Sequence, residues 1–494
     1  MLTYLSTFIN LITGIIITPI TLRLFGQAEY GLYSLAMSIM GMLFLFDFGF
    51  SNAIVKYVTQ FKEQNKEKEQ HNINAMFLIL YSIIGIIAFL CGLMVSIGAD
   101  FIFSNGLTPD ELSRFKIMLL IVSINIGISF PLKLFSGIII AHEKFIFSKF
   151  LTVIRTILNP LTTVLVLTLG YSSIDLLIII SILNFLLSLV DIFFCFMKLK
   201  MKIKLYKFDF TLLKEISSYS IWIFVASLVD MIYSRTDLFI LGALVNSGAV
   251  AVYNVAEVIN SIFTKLTMVL SGFFLPKLVR MVSSNVSNYE ITNIFIKVSR
   301  IQFMLAALVV TGFALVGYEF MLIWAGNDYG MAYWVALLVI LSRFIPVIQV
   351  LATSILQAKN LHAFQSKLYL IVAILNLIIS IPLAIMYGVI GVAIGTVIGK
   401  TINTIIMNIY FTRVGLDMRR YYIELSKLFI PMTFIIILGI ILKTIYEITS
   451  IVDIVLFAFV LTTAYGMFLF RFFMNDFERN IVLKPMKKVL KQAS

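Results

Sequence analysis

Charge is scarce in this chain. Of its 494 residues only 13% are Asp, Glu, Lys or Arg, against about a quarter in soluble domains. Nothing else makes up the polarity, since 61% of residues are hydrophobic and the mean hydropathy is +1.03. A water-soluble fold cannot cover that much apolar surface with so few charges, which leaves lipid as the solvent. Cysteine is nearly absent too. Cys91 and Cys195 are the only two, and each sits in an apolar run, so both are expected as small core residues. Histidine occurs at His71, His142 and His362, all in expected connections. There is no Gly-rich phosphate loop, metal-ligand spacing or Ser/His/Asp set. Hydrolytic chemistry has little to stand on, and no catalytic residue, metal or cofactor is expected.

What the chain does have is a succession of apolar runs of about 20 residues, the length that crosses about 30 Å of hydrocarbon. The pattern predicts an all-α polytopic membrane protein. Fourteen spans are expected, at 4–25, 30–57, 73–97, 113–140, 147–169, 174–197, 213–242, 249–276, 293–317, 331–357, 364–386, 389–411, 421–442 and 451–471. The opening MLTYLSTFIN has no basic stretch or cleavage site and is expected to begin the first helix. Connections alternate in charge. One set holds Lys56, Lys62, Lys66 and Lys68, then Lys144 and Lys149, then the run KLKMKIKLYK, and continues through Arg280, Lys359 and Arg420 to the tail. The other set, with GADFIFSNGLTPDE and WAGNDYG, holds little beyond Arg114, Lys116 and Lys443. The positive-inside rule then puts both termini in the cytoplasm. The net charge of +13 reads as cytoplasmic loops meeting anionic headgroups, and nucleic acid is not an expected partner. The tail FERNIVLKPMKKVLKQAS alternates apolar and basic residues and is expected on the inner leaflet.

The two halves resemble each other. TLRLFGQAEYGLYSL (21–35) and TDLFILGALVNSGAVAVYNV (236–255) occupy equivalent places, with Tyr33 matching Tyr253, Pro131 matching Pro346 and Asn159 matching Asn376. An even number of spans separates them, so the halves should be related by a pseudo-two-fold axis along the membrane normal, with a substrate cavity at their interface. The expected domains are a six-helix lobe over 1–200, a second over 201–415, a helix pair over 416–475 and a basic tail over 476–494. GVAIGTVIG (391–399) is expected to serve close helix packing.

Ionisable groups inside spans are costly unless they face water or a partner. Asp47, in the apolar run LFDFGFSNAIVKYV, has no cation beside it in sequence. Matching depth suggests Lys265 or another cation as its partner, and Arg235 for Glu257. Asp230, Asp237 and Glu257 join Asp47 as cavity acids. Lys133, Arg155, Arg235, Lys265, Arg343 and Lys400 form a cationic group suited to an anionic substrate such as a diphosphate. Arg23 and Lys427, near span ends, are expected to snorkel. Steps of three and four place polar residues on one face of three helices: Asn10, Thr18 and Thr21 on span 1; Ser220, Ser227, Asp230, Ser234 and Asp237 on span 7; Asn254, Glu257, Ser261 and Thr264 on span 8. Three polar stripes imply an aqueous chamber.

LRLFGQAEYGLYSL followed by LFDFGFSNAIVKYV resembles the first two helices of the Wzx-type polysaccharide flippases. These belong to the multidrug/oligosaccharidyl-lipid/polysaccharide exporter superfamily. The fourteen-span plan, two six-helix lobes and terminal helix pair extend the resemblance, MATE-like in architecture, to the whole chain. It implies a flippase, not an enzyme, that moves a polyprenyl-diphosphate-linked oligosaccharide from the cytoplasmic to the outer leaflet of a bacterial plasma (inner) membrane. The pathway it implies is O-antigen, capsule or a similar surface glycan. A V-shaped cavity lined by spans 1, 2, 7 and 8, alternating access, membrane lipids as partners, and a polysaccharide polymerase with its chain-length machinery are implied with it. The coupling ion, H+ or Na+, stays open. So do a cation-coupled multidrug exporter using Asp47, Asp237 and Glu257, and a flippase of another lipid-linked cell-wall precursor, of lipid II or teichoic acid type. Related lipid II flippases carry an arginine–aspartate pair in helix 1 where this chain has Thr18 and Pro19, which sets it apart from them.

Overall fold

The computed structural model describes residues 2–268, 271–284, 286–359, 361, 363–480 and 483, some side chains within 2–7, 219–234 and 271–279 excepted. Among these residues there is no strand. The helices are α1 Leu2–Phe25, α2 Gln27–Leu43, α3 Phe50–Glu63, α4 Glu67–Ile97, α5 Ala99–Phe103, α6 Pro109–Ala141, α7 Phe145–Thr168, α8 Ser173–Met197 and α9 Phe210–Leu244. They continue with α10 Ser247–Met268, α11 Ser271–Ser283, α12 Asn288–Trp324, α13 Gly330–Ile348, α14 Val350–Ala358, α15 Ala363–Arg413, α16 Met418–Ser426, α17 Phe429–Ile445 and α18 Ile451–Phe468. Helices are the form a single apolar run can take in lipid, because each satisfies its own backbone.

The ends need separate provision. Reciprocal capping boxes start α6 (Thr108 with Glu111), α8 (Ser172 with Asp175) and α18 (Ser450 with Asp453). All three lie in connections poor in Lys and Arg, where carboxylates rather than cations close the helix starts.

Among the described residues eleven helices are long and apolar enough to cross a membrane, and the chain is a multi-pass membrane protein. One source of the difference from fourteen is α15, a 51-residue element made of two helices that meet at Gly388 (φ 57°, ψ −130°). Only glycine enters that conformation without strain. The two helices fold back on each other. A Cβ at Gly391 would lie 1.8 Å from the Leu383 carbonyl oxygen, at Gly395 2.2 Å from Ser380 Oγ, and at Gly399 3.3 Å from Asn376 Cβ. The glycine stripe is thus the seam of a hairpin, and Asn376 donates to Thr396 across it at 3.2 Å. The other source is the region of α9 to α11, where residues 269–270 lie outside those described.

The expected span 30–57 is broken. α2 ends in a tight turn over Phe44–Asp47, Phe48 (φ 48°) and Gly49 (φ 78°) are left-handed, and α3 starts at Phe50. Packing divides the chain into two compact units: Met1–Asn254 with Ile381–Val392, and Val255–Ser380 with Ala393–Ser494. By packing, therefore, α9 and the start of α10 group with the first helices. In the first unit α4 lies against α6, α1 against α7, and α2 against α9; in the second α12 lies against α13 and α18. Of the tail, residues 481–482 and 484–494 are outside those described.

Candidate functional site

The break after α2 is made around Asp47. Its carboxylate accepts from Ser51 Oγ (2.8 Å), Tyr81 OH (3.1 Å) and the Ser51 backbone N–H (3.4 Å), so it covers a free donor at the start of α3. Lys133 Nζ, from α6, lies 3.2 Å away and also sits over the rings of Phe44 (4.7 Å) and Phe130 (4.8 Å). Two aromatic faces and a carboxylate fix this ammonium, and the two hydroxyls hold the carboxylate.

Lys133 opens onto a cavity of about 850 Å³ within the first unit, walled by α1, α2, α6, α7 and α8. That volume falls in the range of about 300–1,000 Å³ usual for small-molecule sites. Three helices give it polar stripes at one-turn spacing: Asn125, Ser129 and Lys133 on α6, Arg155, Asn159 and Thr163 on α7, and Asn184, Ser188 and Asp191 on α8. Arg155 Nη2 donates to Asp191 at 3.0 Å and to Ser188 Oγ at 3.4 Å. Asn159 and Asn184 approach at 3.5 Å, and Asn184 Nδ2 is tied to the Ile180 carbonyl at 3.0 Å. Arg155 Nε and Asn159 Oδ1 are buried with no hydrogen-bond partner among the described residues. A donor and an acceptor one turn apart, on two residues that line the cavity, are thereby left unmatched. Both cations of the cavity face a carboxylate, so its character is polar rather than cationic.

The other predicted residues fall as follows. Glu257 accepts from Asn260 at 2.9 Å, and its cation is Arg343 at 3.9 Å, where sequence pairing had suggested Arg235. Arg235 is exposed on α9; its carbonyl accepts from Ser38 at 3.1 Å. Lys265, suggested for Asp47, is exposed on α10, while the cation at Asp47 is Lys133. Lys400 is half-buried on α15. Asp237 is buried and accepts from Tyr253 OH. Asn254 donates to Tyr30 OH (2.9 Å) and Ser34 Oγ (3.0 Å), a helix-to-helix clasp. Thr21 and Thr264 bond back to their own helices, at Ile17 (2.9 Å) and Asn260 (2.9 Å). Asn10 and Ser227 are exposed, Thr18 and Ser261 half-buried. The side chains of Asp230 and Ser234, like His362, lie outside the described residues.

Asn125, Ser129, Asn184 and Ser188 are site residues the sequence reading passed over. Their i, i+4 spacing within α6 and α8 was the available signal.

Comparison with known proteins bears on this arrangement. The family described as "Polysaccharide biosynthesis protein" matches residues 1–276. Two curated proteins of Haloferax volcanii are similar to parts of the chain. "Probable low-salt glycan biosynthesis flippase Agl15" is 22% identical over 42% of this chain and 44% of its own length. "Probable flippase AglR" is 28% identical over 36% of this chain and 38% of its own. The chain thus spans less than half the length of either relative. Among solved structures, the inward closed conformation of the lipid II flippase MurJ covers 95% of this chain and 98% of its own at 17% identity, with a TM-score of 0.76. An inward-facing MATE multidrug transporter of the MOP superfamily covers 83% and 94% at 16% identity, with a TM-score of 0.61. At such identities the likeness is one of fold.

Proposed function

Since the chain belongs to the polysaccharide biosynthesis protein family, we propose that it is a flippase moving a polyprenyl-diphosphate-linked oligosaccharide across the membrane by alternating access. The cavity of the first unit carries the reading. Amides and hydroxyls stand beside Tyr33, Phe44 and Phe185, the combination that hydrogen-bonds the rims and covers the faces of sugars. Its cations are already neutralised, so the oligosaccharide, rather than the diphosphate, is its guest. The diphosphate falls to a membrane-embedded cation such as Arg235, which has no carboxylate within 4.0 Å among the described residues. The polyprenyl tail stays in lipid. The excess of Lys and Arg in alternate connections supports a plasma membrane orientation with both termini inside, and a surface glycan such as O-antigen or capsule as the product.

The test is mass spectrometry of lipid-linked intermediates in a deletion strain, with the leaflet assigned by protection from an added glycosidase. The reading expects a complete repeat unit to accumulate on the cytoplasmic side. Intact surface glycan without accumulation, together with raised drug sensitivity, would replace it by the cation-coupled exporter.

A further inference from the structure

A second site lies outside the cavity, in the basic run between α8 and α9. Residues 198–209 form no helix, yet they are held. Asn72, in the first turns of α4, accepts from the backbone N–H groups of Tyr206 (2.7 Å) and Lys207 (3.0 Å) and donates to the Lys207 carbonyl (2.8 Å). Beside it, Asn74 Nδ2 donates to the Lys202 carbonyl (3.3 Å), and Lys204 N–H reaches the His71 carbonyl (3.3 Å). One asparagine thus does for this segment what a neighbouring strand would do.

The consequence is a sorted rail. Met201 is buried and Leu199 and Ile203 are half-buried, whereas Lys198, Lys200, Lys202, Lys204 and Lys207 are all exposed. None of these five has a carboxylate within 4.0 Å among the described residues. Left to itself, such a run of like charges would extend into solvent. Here it is pinned between the ends of two membrane-embedded helices, which sets it at headgroup depth. Leu205, Tyr206 and Phe210 next to it are 49%, 55% and 72% exposed, as apolar groups are when their cover is the acyl boundary.

We propose that residues 198–210 are a docking site for anionic phospholipids of the surrounding leaflet. The lysines hold headgroup phosphates, and Tyr206 and Phe210 lie among the upper acyl carbons. The occupant is a lipid rather than a soluble phosphate compound because the exposed lysines run directly into the exposed apolar groups of Leu205, Tyr206 and Phe210, a pairing that matches headgroup and chain together.

The experiment uses the full-length purified chain in detergent and reads its thermal stabilisation on titration with phosphatidylglycerol, phosphatidylcholine or inorganic phosphate. Phosphatidylglycerol should stabilise selectively, less so at high salt. Each lysine near an anionic surface is worth about fivefold in affinity. The triple variant Lys200→Gln, Lys202→Gln, Lys204→Gln should therefore lose about a hundredfold, and the corresponding Lys→Arg variant should keep wild-type affinity. Asn72→Ala, which alters no charge, should also weaken binding because it releases the rail. Equal response to both lipids, the same shift with inorganic phosphate, or wild-type affinity in the triple Gln variant or in Asn72→Ala would overturn the proposal.

Discussion

Arg155–Asp191 in the first unit and Arg300–Glu478 in the second are the same chemical pair in opposite surroundings. Arg300 is 5% exposed and Glu478 2%. The guanidinium donates to both carboxylate oxygens (2.6 and 3.2 Å), to the Phe473 carbonyl (2.9 Å) and to the Glu424 carbonyl (3.1 Å). Glu478 also caps its own segment, accepting from Asn475 N–H at 2.9 Å. Four of the five N–H donors are bonded and Glu424 Oε2 stands 3.7 Å from Nη1, so this pair anchors the chain after α18 to α12 and α16 and has little left to offer a guest. Arg155 instead meets its acid through a single nitrogen, keeps Nε without a partner, and borders the cavity. Saturation separates a structural ion pair from one available to a ligand, and the presence of opposite charges does not.

The comparison breaks most visibly at Arg300. Arg300→Ala leaves Glu478 buried and uncompensated, and should cost about 3–5 kcal/mol, read as a large fall in melting temperature and in folded protein recovered from membranes. A shift no larger than that of an exposed arginine would remove the distinction. Next come Asp47→Asn and Asp47→Ala, expected to lower glycan export about tenfold, or roughly 1.4 kcal/mol, while leaving folded protein in the membrane. Unchanged export in both would take Asp47 out of the working site. Conservative replacement sharpens the contrast. Arg300→Lys cannot span both oxygens and should destabilise by about 1–3 kcal/mol. Arg155→Lys should keep stability within about 0.5 kcal/mol and act on export, since it loses the unpartnered Nε of a residue that borders the cavity.

The smallest effect serves as a control away from both pairs. His142, just after α6, has its pKa lowered by burial and by the nearby Lys62 and Lys144. Its ring contacts the Ile138 carbonyl (2.9 Å) and Gln70 (3.4 Å), an arrangement for the neutral form. The unfolded chain takes up the proton first, so stability is at its full value above about pH 6.5 and declines as pH falls below it. Melting curves from about pH 8 to about pH 5.5 should show this slope, and His142→Gln should flatten it.

The membrane class and most span positions were legible because burial in lipid demands long apolar runs and leaves little freedom in where they end. The glycine stripe at 391–399 was legible for the same local reason, since small residues at helical spacing announce a close neighbour. Asp47 announced itself by its cost. Its partner did not, because Lys133 stands on α6, and nothing in a uniformly apolar sequence says how a helix is rotated against another so far along the chain. The stripes of α6 and α8 were overlooked for a related reason. Single asparagines and serines weigh little beside charged residues in a sequence reading, yet in a low-dielectric cavity they supply most of the available hydrogen bonds. Thr21, Thr264 and Asn254 show the converse. Their spacing reads as a wet face, while the two hydroxyls donate within their own helices and the Asn254 amide nitrogen donates to Tyr30 and Ser34 on α2.

The turn at Gly388 has a mechanical consequence. Two helices that meet at one residue, with glycines seated against the opposite shaft, have no slack between them. An inserted tag or an added residue there would meet a joint already closed to contact. A push on either shaft is therefore delivered to the other, and the hairpin behaves as a stiff lever with its bend fixed.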